Sequence, residues 1–76
     1  MRFKDLDGKI VRVQFKRKGD KIIFKGGLLH VNIQKEEYEL FDIIYRLNEP
    51  ELISETGFIF YDNDVVEIVL ASSDSL

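Results

Sequence analysis

Residues 35–47 read K-E-E-Y-E-L-F-D-I-I-Y-R-L, and the fold turns on how they are read. Acidic residues crowd the start, Arg46 stands near the end, and Asn48 and Pro50 follow as stop signals. That arrangement favours a helix, because acids suit its N-terminal end and a cation its C-terminal end. Between Tyr38 and Leu47 only Glu39, Asp42 and Arg46 are polar, at the i, i+3, i+7 spacing of one narrow stripe. A surface helix of a monomer has a wider polar face. One side of this helix is therefore expected to cover the core. The other, around Tyr38, Phe41, Asp42 and Tyr45, either meets a partner or lies under residues 50–56, read as loop or one further helical turn.

Outward from this segment the pattern is β. Residues 9–17, K-I-V-R-V-Q-F-K-R, alternate, with Val11, Val13 and Phe15 on one face and Arg12, Gln14 and Lys16 on the other. Period two of this kind marks a half-buried strand. K-G-D at 18–20 reads as a turn, and K-I-I-F-K at 21–25 as the second strand of a hairpin. Gly26-Gly27 suggests a bulge or bend. Residues 28–34 alternate again, with Leu29, Val31 and Ile33 inward. Residues 58–61 and 65–71 read as a last hairpin around D-N-D at 62–64. The predicted order is β-β-β-α-β-β, one small antiparallel five-stranded barrel over residues 1–71 with a flexible tail at 72–76. Both an SH3-type or Sm-like barrel and an oligonucleotide-binding (OB) fold fit that order.

Seventy-six residues suffice for one small domain with a modest core. With no cysteine and one histidine, disulfides are excluded and a structural zinc site is disfavoured. No apolar run reaches membrane-span length and no signal peptide is legible, so the reading is soluble and cytoplasmic. The net charge of −3 conceals an asymmetry. Residues 1–35 hold ten Lys and Arg against three acids, a balance of +7, whereas residues 36–76 hold one base against eleven acids, −10. Such a split suits either polyanion binding or head-to-tail self-association.

The stretch D-L-D-G-K-I-V-R-V-Q-F-K-R-K-G-D-K-I-I-F-K-G-G-L-L-H-V-N-I (5–33) resembles the first motif of Sm-like proteins. G-F-I-F-Y-D-N-D-V-V-E-I (57–68) resembles the second. Together they cover about half the chain. The resemblance implies a small barrel and, for the family, RNA binding. Three positions depart from it: Asn32 stands where the family has Asp, Glu36 where it has a base-contacting Asn, and Tyr61-Asp62 where it has Arg-Gly.

The chemistry on offer is binding. K-R-K-G-D-K at 16–21 places Lys16, Arg17, Lys18 and Lys21 at a hairpin tip, with Arg12 and Lys25 nearby. Cations of this density grip phosphates of RNA or single-stranded DNA, with Phe15 or Phe24 as a possible stacking platform. The plainer alternative is a solvated tip whose lysines protect a strand edge. His30 is expected on an outward face with no motif partner. D-N-D at 62–64 offers two carboxylates to a metal, but turn formation explains it as well. No nucleophile–base pair, phosphate-cradling glycine loop or two-histidine motif is present, which argues against an enzyme and against a cofactor. The rival to nucleic-acid binding is a protein-interaction module, an inhibitor or assembly factor, working through the apolar and acidic helix.

Overall fold

Residues 35–47 do not form a helix. The computed structural model describes residues 1–46, 49–52 and 57–71, and contains no α-helix among them. Strand β1 spans Ile10–Lys18 and β2 Lys21–Asn32. The segment expected to be helical splits into β3, Glu37–Phe41, and β4, Ile43–Arg46. Strands β5 (Glu49–Leu52), β6 (Phe58–Phe60) and β7 (Val65–Leu70) follow. Lys4–Leu6 and Asp62–Asp64 are short 3-10 turns.

The reason lies in the turn that precedes β3. The Asn32 side-chain oxygen accepts the Lys35 N–H at 3.1 Å, and the Glu36 N–H donates to the Ile33 carbonyl at 3.2 Å. Glu36 has a φ of 53°, in the left-handed region, so a right-handed helix cannot start through it. Beyond it E-Y-E-L-F alternates, with Tyr38 and Leu40 buried and Glu37, Glu39 and Phe41 half-buried. The apolar residues that follow at both parities mimicked a helical stripe. In the structure they are divided at Asp42, and β4 pairs with β5 in a separate two-stranded sheet. Residues 49–52, expected as loop or helical turn, are thus a strand. Pro50 is tolerated because both strands of such a pair are edges.

The other five strands form one antiparallel sheet in the order β6-β3-β2-β1-β7. The two strands expected at 21–25 and 28–34 are one continuous strand, and Ile33 lies beyond it, 65% exposed. No bulge interrupts the pairing at Gly26-Gly27. Leu28 is the hinge of the sheet, facing Ile10 on one side and Phe41 on the other. At Gly27 a Cβ would overlap the Phe41 carbonyl, so the glycine permits the close approach where β2 passes from one partner to the other.

The last two strands do not form the expected hairpin. β6 pairs with β3 and β7 with β1, which makes them the two edges of an open sheet and not neighbours in a closed barrel. Four residues, 61–64, carry the chain from one edge to the other. Five residue steps span at most about 17 Å, less than the about 19 Å across a flat five-stranded sheet. The sheet must therefore curl, and it does. Phe60 on β6 stacks on Tyr38 at 5.2 Å and meets Phe15 of β1 edge-on at 5.1 Å. Val11, Val13, Leu29, Val31, Leu40, Val65 and Ile68 fill the rest of the concave face. Tyr38 is fully buried here, so it belongs to the core and not to a partner surface.

The segment before β1 closes one end. Met1, Phe3 and Leu6 pack on the core. The Arg2 guanidinium donates to the carbonyls of Asp62 (2.8 Å) and Val65 (2.7 Å), and its backbone N–H to the Asp62 carboxylate (3.3 Å). The Phe3 N–H donates to the Tyr38 hydroxyl at 3.2 Å, and that hydroxyl donates to Asp62.

Candidate functional site

The tip of the β1–β2 hairpin is irregular, and the irregularity builds a site. Phe15 faces Ile23, but the next pair is Lys18 with Lys21, so β1 carries one residue more than β2 over this stretch. The chain reverses at Gly19, with a φ of 61°. In a regular strand Lys16 and Arg17 would point to opposite faces; the extra residue re-aims them. As a result Phe15, Lys16, Arg17 and Lys18 all line one cleft of about 350 Å³. Its other walls are Ile23 and Lys25 of β2, Phe58, Ile59 and Phe60 of β6, and Asn63 and Asp64 of the 3-10 turn.

The floor is aromatic. Phe58 shares the concave face with Phe60, stacking on it at 6.1 Å and meeting Phe15 edge-on at 5.7 Å. Near the end of the sheet it is left 46% exposed. Lys25 faces Val13 across the ladder and so also points to the concave side. Its Nζ stands 4.8 Å from the centroid of the Phe58 ring, a cation–π contact. The cleft thus joins a half-exposed aromatic ring to four cations, one of them over that ring.

Of the six basic residues singled out in the sequence, Lys16, Arg17, Lys18 and Lys25 come together here. Lys21 is exposed at the tip but does not line the cleft, and Arg12 lies on the opposite, convex face. There Arg12 sits 5.7 Å from the ring of Phe24, which is 53% exposed. Neither aromatic residue proposed as a stacking platform occupies the cleft as one: Phe15 is core and Phe24 is on the other face. Phe58 takes that place. Its signal was parity with Phe60 in a strand of only three residues at a sheet edge, which a sequence pattern does not reveal.

The proposed partner-binding group is dispersed. Tyr38 is buried, Phe41 half-buried and Asp42 exposed, while Tyr45 is in β4 and its side chain lies outside the described residues. Burial, together with donation of its proton to the Asp62 carboxylate, pushes the Tyr38 hydroxyl up to about 12. His30 is exposed, 3.5 Å from Asp7, whose carboxylate also accepts the Val31 N–H at 2.8 Å. Both carboxylates of D-N-D make structural contacts. Asp62 holds Arg2 and Tyr38, and Asp64 accepts the Tyr61 N–H at 2.9 Å. Among the described residues no three His, Cys, Asp or Glu gather to hold a metal ion, and no helix is long and apolar enough to cross a membrane. The tail at 72–76 lies outside the described residues. Comparison with protein-family models, with curated proteins and with solved structures finds no match for the chain.

Proposed function

We propose that this protein binds single-stranded nucleic acid, without catalysis, through the cleft at the end of the β1–β2 hairpin. The observation that carries the reading is the pairing of the half-exposed Phe58 ring with Lys25 beneath a rim of Lys16, Arg17 and Lys18. An unpaired base presents a π-face to an aromatic ring and a phosphate to a cation, and stacking and charge together are what a single-strand site needs. Duplex offers phosphates but no free base face, because its bases already stack on one another. The overall charge of −3 does not oppose this, since binding follows the local field and the rim is cationic.

The test is fluorescence anisotropy with labelled single-stranded RNA, single-stranded DNA and duplex DNA at low and physiological salt. Micromolar or tighter binding of single strands, with duplex weaker, is the expected result. Absence of any binding at low salt would overturn the reading.

A second reading, a protein-interaction module, now rests on the open sheet edge in place of a helix. Among the described residues β7 pairs only with β1, and Val66, Val69 and Leu70 along it are exposed. An unpaired apolar edge accepts a strand from another chain or another copy. Sedimentation at rising protein concentration tests the second-copy version: a larger species that Val69→Lys disperses would support it, and a monomer throughout would sink it.

A further inference from the structure

We infer that the cleft prefers guanine among the bases of a single strand, through Asp64 and Asn63; the inference rests on the single-strand reading above. Both residues line the same cleft as Phe58 and Lys25. Asp64 is held in place by its own turn. One carboxylate oxygen accepts the Tyr61 N–H at 2.9 Å, and its backbone N–H donates to the Tyr61 carbonyl at 2.9 Å. The second carboxylate oxygen has no hydrogen bond among the described residues, and the first keeps a lone pair beside the one that the Tyr61 N–H occupies, so both can accept from a base edge.

A fixed carboxylate only accepts hydrogen bonds. A base stacked on Phe58 is therefore sorted by the donors on its edge. Guanine alone presents two adjacent donors, N1–H and N2–H, with the O6 acceptor beside them. Adenine and cytosine set one donor next to an acceptor ring nitrogen, which faces the carboxylate unfavourably. Uracil and thymine have one donor flanked by two acceptors. Asn63 lines the same cleft, and its side-chain amide carries the kind of donor that O6 takes.

The experiment measures anisotropy with four labelled oligouridines that carry a central guanine, adenine, cytosine or uracil. The guanine probe should bind at least about tenfold more tightly, the discrimination expected of one good bidentate contact. Asp64→Asn keeps an oxygen for the Tyr61 N–H and so keeps the turn, which circular dichroism will verify. That variant should bind all four probes at least as tightly as the parent binds uridine, with the guanine preference gone. Equal affinity for the four probes in the parent protein would overturn guanine selection while leaving single-strand binding intact. A preference that survives Asp64→Asn would overturn the assignment to Asp64. Binding of none of the probes would overturn the single-strand reading, and the inference with it.

Discussion

Reversing the charges of Lys16, Arg17 and Lys18 to glutamate is the sharpest perturbation of the cleft, because it should change binding without changing the fold. All three side chains are exposed, and none makes a hydrogen bond or ion pair among the described residues. The magnitude follows from the cations the cleft collects. If Lys16, Arg17, Lys18 and Lys25 each neutralise one phosphate, the slope of log K against log salt for a single strand is about −2.8. Between 50 and 200 mM salt, affinity then falls about fifty-fold. With only Lys25 left to contribute, the slope should drop to about −0.7 or less, and repulsion from three carboxylates should remove measurable binding at physiological salt. The assay is an anisotropy titration at four or more salt concentrations, with circular dichroism to confirm that the variant is folded. A folded variant that keeps both its affinity and its slope would refute the reasoning, since the phosphates would then be held elsewhere.

Three other outcomes are expected. Phe58→Ala should weaken single-strand binding by about 1–3 kcal/mol with the salt slope unchanged, because it removes stacking and no charge; a change in slope alone would contradict the role given to the ring. The neutral Tyr38 hydroxyl is favoured in the folded state, with a pKa of about 12 against about 10 unfolded, so its contribution of up to about 3 kcal/mol is fully present below pH 10 and is lost as pH rises through 12. Denaturant melts across that range should show the decline in the parent and a flatter profile in Tyr38→Phe. Gly27→Ala should cost about 1–3 kcal/mol, because its Cβ meets the Phe41 carbonyl, whereas Gly26→Ala, whose nearest neighbour is the Val11 carbonyl oxygen at 3.5 Å, should cost far less. Equal thermal melting points for the two alanine variants would show that β2 and β3 can separate there at no cost.

The β1–β2 hairpin was legible because its two faces differ: Val11, Val13 and Phe15 are apolar where Arg12, Gln14 and Lys16 are not. The segment at 35–47 was not, because Leu40 to Tyr45 is apolar at both parities and erases the alternation. What makes it strand is external. β2 and β6 on either side of β3, and β5 beside β4, satisfy the backbone groups that a helix would satisfy internally, and tertiary pairing of this kind overrides local preference. The left-handed Glu36 enforces the choice, and its only trace in the sequence is Asn32, a turn-forming residue four positions earlier. The cleft was half legible. The cluster of cations at 16–18 is plain in the sequence. Its meeting with Phe58 depends on a curl that brings β6 over β1, and only the position of both strands in the sheet order shows it.

The place of β1 has a consequence for how the chain folds. Its contact with β2 begins at Lys18 and Lys21, three residues apart, whereas its nearest contact with β7 joins Phe15 to Val65, fifty residues apart. Closing the larger loop costs about 2.5 kcal/mol more in chain entropy before any contact offsets it. The hairpin can form early and alone, but Val13 and Phe15 stay uncovered by Val65 and Ile68 until the last strand docks. On a ribosome β7 is made after the other six described strands. The growing chain therefore presents an unpaired β1 edge until β7 has been made, and Arg12, Lys16 and the neighbouring lysines supply the charge that keeps such an edge from joining another chain.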